Sequence, residues 1–574
     1  MRAIRLLGAT FVLALAGWSG ALAADRAERL PASPAIASAN AYATDAGLEV
    51  LQAGGNAFDA AVAVSATLGL VEPESSGIGG GGFYLLHRAS DGHRVFLDAR
   101  ETAPAAATRD MYLDADGQPD REPAINGPLA AGIPGTPAAL VHMAERYGRL
   151  PLSASLAPAI RLAREGWHFG PKNHEMMGWR RDVLARYPGS VELFLVDGER
   201  PAVGTLMRNP DYARTLERLA AEGFDGFYRG ELAQRLVEGV RGGGGIWTLE
   251  DLAGYRVVER EPMRVEHRGW EVVTAPPPSS GGVALAQVLN VLSGYDYTAL
   301  PRVDRVHLKV EAMRRAYRDR AIYLGDPDFV AMPLTLLTSP AYAAGLRAAI
   351  HPGRATPSDL LPGVGHANEN PDTTHFSIID TEGNLVAATQ TVNLPWGNGF
   401  VVPGTGFVLN NEMDDFSVKP GVPNAFGLVG EDANAIAPGK RPLSSMTPSF
   451  LVGTDQVAVI GTPGGSRIIT MVALGLVALM DGADAAEVVA MPRFHHQYLP
   501  DQLSVEAGAL SGEERAALEA RGHVVDERGR GWGNMQLVVW DRRSGAVQAA
   551  SDPRWEGVGA GSTGERVDGG AIYR

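Results

Sequence analysis

The sequence predicts a large α/β protein, on three observations. A β-hairpin signal runs from Asp372 to Asn393, and amphipathic or Ala-rich helical stretches precede it. The composition is that of a large globular protein: 574 residues, 45% hydrophobic and 20% charged. That length allows an ample core, in several lobes or one large α/β unit.

Taken in order, the chain begins with the pattern of a secretory leader over Met1–Ala23. Arg2 and Arg5 form its positive start, Leu6–Trp18 its apolar middle and Ala21-Leu22-Ala23 its cleavage site. An uncleaved anchor is the alternative, but the run is short and Gly8 and Gly17 interrupt it. Export places the protein in the periplasm or outside the cell. No cysteine is present, so stability rests on the core.

Ala35 to about Ala53 is expected to be a helix, with Ala37, Ala41, Leu48 and Leu51 as its apolar stripe, Thr44 as its polar member and Gly54-Gly55 as its stop. A second helix is expected from about Phe58 to Leu70. The Gly77–Gly82 run precedes a strand and no Gly-Lys-Ser/Thr follows, so it reads as close backbone approach beside a pocket, not as a phosphate loop. Thr248 is a candidate helix cap, and Pro276-Pro277-Pro278 marks a rigid turn before a helix from about Val283. Val306–Tyr323 reads as a long helix whose Arg314, Arg315, Arg318 and Arg320 form a solvated or ion-paired face. His351–Asn370 reads as a mobile linker.

The hairpin places chemistry on one face. With Glu382-Gly383-Asn384 as a three-residue loop, Thr381 pairs with Leu385, Asn393 with Thr373 and Thr391 with His375. A Thr hydroxyl is a poor nucleophile without a base. A Thr at a chain N-terminus has one in its own α-amine, which titrates near ~7.7–8. Thr373 would gain that amine only if the chain were cut after Asp372, most simply by attack of its own hydroxyl on the preceding carbonyl.

An ordered set of motifs surrounds the hairpin. Gly77–Phe83, Leu97–Pro104, Pro276–Gly282 and Glu311–Tyr317 precede it. Asn410–Phe416, Lys440–Pro448 and Gly461-Thr462-Pro463-Gly464-Gly465-Ser466-Arg467 follow it. The set covers nearly the whole chain after the leader and resembles the γ-glutamyltransferase (glutathione hydrolase) family. That resemblance implies a four-layer αββα N-terminal-nucleophile hydrolase sandwich, made as a precursor and cut before Thr373. Residues 24–372 would form a large subunit and 373–574 a small catalytic one, held together as a heterodimer.

The resemblance also implies roles. Thr373 is the nucleophile and Thr391 orients it. Gly464 and Gly465, on spacing alone equally a tight turn, become the oxyanion donors. Arg100, on its own a surface ion pair, grips a substrate α-carboxylate together with Ser444 and Ser445. Asn393, Glu412 and Asp415 hold the α-ammonium. The implied reaction takes the γ-glutamyl group of glutathione or a related compound onto Thr373, then passes it to water, an amino acid or a dipeptide. It needs no cofactor and no metal. His495-His496 is the one tempting metal pair, but adjacent strand side chains point opposite ways.

Two positions depart from the family's bacterial pattern: Glu412, where Gln is frequent, and Phe426, in the lid-like segment Pro420–Gly430, where others carry Tyr or Trp. The first bears on affinity for the amino group, the second on lid stiffness and the balance of transfer against hydrolysis. The rivals are a cephalosporin (glutaryl) acylase or poly-γ-glutamate transpeptidase of the same fold, and an uncut, non-catalytic periplasmic binding protein. The first is disfavoured by Asn393, Glu412 and Asp415, since a glutaryl group has no ammonium. The second is disfavoured by the presence of a lid. A formal net charge of −15 argues against nucleic acid and anionic membranes.

Overall fold

The computed structural model describes residues 28–361, 373–561 and 566–568. The leader at Met1–Ala23, the junction at Asp372 and residues 362–370 of the linker lie outside them.

Two antiparallel sheets stack face to face, with helices on each outer side. In the first sheet the strand order is Arg566–Asp568, Val558–Gly561, Ala35–Ser38, Thr374–Ile379, Leu385–Thr391, Gly81–Arg88, His93–Ala99 and Val258–Arg260. In the second it is Val547–Ser551, Gln536–Asp541, Gln456–Gly461, Ser449–Val452, Trp270–Thr274 and Met263–His267. Each sheet thus draws strands from both sides of Thr373.

Strand side chains alternate between faces, and this builds the layers. Phe83, Leu85, Ile379, Leu385 and Ala387 pack toward the second sheet, in one core with Phe450, Val459 and Leu537. The helices Gly281–Leu292, Arg302–Tyr323 and Ile468–Met480 belong to that same core. The residues between them, Tyr84, Leu86, Phe376, Ile378, Val386 and Ala388, pack the other way against Ala57–Val71 and its neighbouring helices. The αββα expectation is therefore met.

Ala35 opens a strand, not the expected helix. Ala35–Ser38 pairs with Thr374–Ile379 on one side and Val558–Gly561 on the other, and the helix begins only at Ala41, where the Asn40 side chain accepts from Tyr42 N. A short run of small apolar residues fits either element, and distant pairing decides. The buried stripe of that helix is Ala43, Thr44, Ala46, Gly47 and Val50, with Thr44 Oγ1 donating to Val558 O at 2.9 Å. The second helix, the Thr248 cap and the turn before Gly281 stand where expected.

The Gly run serves close approach. A Cβ on Gly80 would lie 2.0 Å from Thr391 O, and one on Gly79 would lie 2.1 Å from Val408 O. The arginine-rich helix, Arg302–Tyr323, departs from expectation in burial: Arg314 is 1% and Arg315 is 2% exposed, and both pair with Glu311. A charge so far from water persists only with such partners.

Candidate active site

The hairpin register differs from the expected one by two residues. Leu385 pairs with Ile379, Thr389 with His375 and Gln390 with Thr374, so one further step sets Thr391 opposite Thr373. Asp380 causes the shift. Its carboxylate accepts from Glu382 N at 2.9 Å, Asn384 N at 3.0 Å and Asn384 Nδ2 at 2.7 Å, which widens the loop to Asp380–Asn384. It also accepts Ala57 N at 2.9 Å, fastening the loop to the start of the Ala57–Val71 helix. Because the shift is even, Thr373 and Thr391 keep the same face. Their hydroxyl oxygens lie 3.3 Å apart.

Thr391 is fixed in turn by Asn393, whose backbone N donates to Thr391 Oγ1 at 2.8 Å. Asn393 leaves the ladder instead of pairing with Thr373. Its φ of 81° is the left-handed conformation that Asn tolerates better than most residues, and its side chain donates to Asn411 O at 2.9 Å. His375 lies between the sheets against Gly461, bonded to Thr389 Oγ1 at 2.8 Å. Burial holds its pKa down to about 3, so it is a neutral core residue.

Thr373 lies in a pocket with Thr391, Asn393, Arg100, Glu412, Asp415, Ser444, Ser445 and Gly465, roofed by Phe426 and Leu428. Of the ten residues singled out from the sequence, Gly464 alone is elsewhere, lining the adjoining cleft. Gly464 and Gly465 have φ values of 141° and 54° and lead directly into the helix Ile468–Met480. Helix-start N–H groups without side-chain caps suit a developing negative charge.

Arg100 is fully buried. Its guanidinium contacts Glu412 and Asp415 directly, lies 3.7 Å from Glu101 and donates from Nε to Pro442 O at 3.2 Å. Burial works against its charge, yet these carboxylates hold it above the ordinary range. Burial pushes Glu412 well up and Asp415 up, each against the pull of Arg100. It likewise pushes Glu101 to about 7, and neither Glu101 oxygen has a hydrogen-bond partner among the described residues.

The serines are set by the proline turn. Ser279 Oγ donates to Met446 O and Ser280 Oγ to Ser444 O, each at 2.7 Å. The lid is tied to the acidic turn, with Asn424 Nδ2 donating to Asp415 Oδ1 at 3.0 Å and Ala425 N to Asp414 Oδ2 at 2.9 Å.

Two features escaped the sequence. Arg320, expected on a solvated or ion-paired face, is buried and donates to Ser280 Oγ at 3.0 Å and toward Ser445 Oγ at 3.5 Å. Nothing local separates it from its exposed-looking neighbours. The second is a buried chain beside Thr373: Thr374 Oγ1 donates to Glu72 Oε2 at 3.0 Å, and Lys172 Nζ lies 3.3 Å from Glu72 Oε1. Those residues lie too far apart in sequence for any motif to join them.

For metal, His495 and His496 take separate partners, Thr470 and Gln497 for the first and Asp501 for the second. Among the described residues His307, Glu311 and His523 gather buried ligand atoms within 4.8 Å. There His307 Nδ1 and His523 Nε2 share a 2.8 Å hydrogen bond, and Glu311 is taken by Arg314 and Arg315. His495, His496, His307 and Glu311 thus have protein partners, while His523 Nδ1 has none among the described residues.

A model of the family described as gamma-glutamyltranspeptidase matches residues 43–562. The chain belongs to that family. It is 42% identical over 525 residues to the glutathione hydrolase proenzyme of Escherichia coli, spanning 90% of each chain. It is 44% identical over 534 residues to the glutathione hydrolase proenzyme of Pseudomonas aeruginosa, spanning 92% of this chain and 94% of that one. Among solved structures, a cephalosporin acylase from Bacillus halodurans superposes with a TM-score of 0.81 at 28% identity, covering 98% of this chain and 100% of that one. Family and fold together make this γ-glutamyltranspeptidase family member an enzyme of the autoprocessed N-terminal-nucleophile class. Among the described residues no helix is long and apolar enough to cross a membrane.

Proposed function

We propose that the chain is a γ-glutamyltransferase and glutathione hydrolase that cuts itself between Asp372 and Thr373 and then uses Thr373 as its nucleophile. The observation that carries this reading is the pair of hydroxyls of Thr373 and Thr391, 3.3 Å apart, in the pocket that also holds Arg100, Glu412, Asp415, Ser444 and Ser445.

In this reading the new α-amine takes the Thr373 hydroxyl proton as the oxygen attacks the γ-glutamyl carbonyl. Gly464 and Gly465 stabilise the tetrahedral oxyanion, each donor contributing about 10²–10³ in rate. The amine proton passes to the leaving nitrogen, cysteinylglycine when glutathione is the donor, and an ester remains. Water or the amine of an amino acid or dipeptide then attacks that ester, giving ping-pong kinetics.

The substrate's two charges select the γ-glutamyl group. Its α-carboxylate is held by Arg100 with Ser444 and Ser445, and its α-ammonium by Glu412, Asp415 and Asn393. Binding then exchanges one ion pair for another: the ammonium takes up carboxylates that now face Arg100, and the carboxylate takes up the guanidinium. Because both sheets combine strands from the two sides of Thr373, the large (24–372) and small (373–574) subunits stay interlocked after the cut. A leader at Met1–Ala23 and a periplasmic or secreted location complete the reading.

The glutaryl acylase reading is weakened by the buried acidic pair, which a substrate lacking an ammonium would leave facing Arg100 alone. The test is a denaturing gel with N-terminal sequencing, beside a γ-glutamyl anilide assay. Two fragments, the smaller beginning at Thr373, together with anilide release, are expected. Thr373→Ala is expected to remain one inactive chain. Mature, active protein with Thr373 still joined to Asp372 would sink the reading, and faster turnover of a glutaryl than of a γ-glutamyl anilide would favour the acylase.

A further inference from the structure

We propose that Gln497 is a positioning residue for the reaction: through His495 and Thr470 it couples the roof of the Thr373 pocket to the turn that carries the oxyanion donors. This deepens the reading of Thr373 as nucleophile, with Gly464 and Gly465 at the oxyanion, and rests on that reading.

The contacts are continuous. Gln497 Nε2 donates to Phe426 O at 3.3 Å, and Phe426 roofs the pocket. Gln497 Oε1 and His495 Nε2 lie 2.8 Å apart, as do His495 Nδ1 and Thr470 Oγ1. Thr470 Oγ1 lies 2.9 Å from Arg467 O, and the Arg467 backbone N donates to Gly464 O at 3.0 Å. All three linking side chains are buried. They join the roof to a hydrogen-bonded turn that begins at Gly464.

Donor and acceptor types give the chain its direction. A carbonyl only accepts, so the amide nitrogen of Gln497 faces Phe426 and its oxygen faces His495. That oxygen calls for a hydrogen on His495 Nε2. Burial holds the His495 pKa well below its ordinary range, so the ring carries one hydrogen and Nδ1 accepts. The single Thr470 hydroxyl proton then has two acceptors in reach, His495 Nδ1 and Arg467 O.

Two further contacts point the same way. The Tyr317 ring stands edge-on to His495, with centres 5.7 Å apart, and its hydroxyl donates to Ser466 O. The residue that braces His495 thus grips the neighbouring carbonyl of the same turn. On the other side of the roof, Asn424 Oδ1 accepts from Phe426 N at 3.0 Å and Leu428 N at 3.1 Å, while Asn424 Nδ2 donates to Asp415 Oδ1 at 3.0 Å. The roof is therefore held between the acid proposed for the α-ammonium and the turn proposed for the oxyanion. A buried network of this kind rigidifies what it joins. Loss of Gln497 frees the roof from the turn and deprives Phe426 O of its donor.

The test uses self-cleaved enzyme and a γ-glutamyl anilide. Gln497→Leu and Thr470→Val are each expected to lower kcat/KM about tenfold, through both kcat and donor KM, because turn and roof loosen together. Thr470→Ser keeps the hydroxyl and is expected to recover most of the loss. The double variant is expected to lose about tenfold, not about a hundredfold, because either change breaks the same chain. Gln497→Glu keeps the acceptor toward His495 and loses the donor toward Phe426, so it carries the test should Gln497→Leu not fold or not cut. Losses that multiply, a loss confined to donor KM, or parent kinetics in the folded variants overturn the coupling while the parent still releases anilide. A parent that releases no anilide from any γ-glutamyl donor overturns the reading of Thr373 and this proposal with it.

Discussion

Thr391 Oγ1 lies 3.3 Å from Thr373 Oγ1 while accepting the backbone N–H of Asn393 at 2.8 Å, so the second threonine is anchored and directed at the first. That bond leaves the Thr391 proton able to point at Thr373, which in the proposed mechanism positions the nucleophile without adding charge. Thr391→Val keeps the shape and removes the hydroxyl. We expect self-cleavage to slow and kcat for a γ-glutamyl anilide to fall about 10–100-fold, within the range for a lost positioning contact. A time-resolved gel and steady-state kinetics measure both, and an unchanged kcat would discard the role.

Arg100 is the cation shared by Glu412 and Glu101, both buried, and by the partly buried Asp415. Removing it, as in Arg100→Ala, leaves three carboxylates facing one another. A loss of about 3–5 kcal/mol in stability is expected, beyond the loss of affinity. Denaturation of the variant in an uncut Thr373→Ala background reads the first, and donor KM in processed protein the second.

Arg320 makes no ion pair among the described residues, and burial lowers its pKa to about 10. Its recorded hydrogen bonds are to hydroxyls, on the wall where the substrate α-carboxylate is proposed to lie. We expect Arg320→Gln to raise the donor KM about 10-fold with a smaller change in kcat, and Arg320→Lys to restore part of it. Equal losses in kcat and kcat/KM, unrelieved by Lys, would mark a purely structural residue.

Glu101 predicts a pH effect. Its pKa rises from an ordinary 4.5 to about 7, chiefly through burial, so the folded state holds this proton more tightly than the unfolded state does. For an acid shifted upward, the folded form binds more protons between those values, and stability falls as pH rises through that window. Glu101→Gln is expected to flatten this part of the curve and to gain stability over the parent near pH 8. Thermal unfolding of both uncut chains from pH 5 to 8 measures it; parallel curves would refute it.

Some of this was legible in local patterns. The hairpin, the second helix, the Thr248 cap and the glycines kept bare for backbone approach follow from residue types and spacing, since turn chemistry and strand alternation act over a few positions. The grouping of Arg100, Asn393, Glu412, Asp415, Ser444 and Ser445 came from the ordered motifs and not from any periodicity. The hairpin register was missed by two residues because the Asp380 side chain widens the loop by bonding Glu382 and Asn384, and its bond to the distant Ala57 is not visible in the turn itself.

What the linear chain determined by itself, then, was which segments could be strand or helix and which side chains carry reactive groups, because those properties are set by neighbours a few residues away. Only the packed molecule decided that Ala35–Ser38 is a strand, that Arg320 is buried behind Ser445 and that Lys172 reaches Thr374 through Glu72. Each of those outcomes depends on partners dozens to hundreds of residues away. Burial, and the charge compensation it demands, exists only once those partners have met.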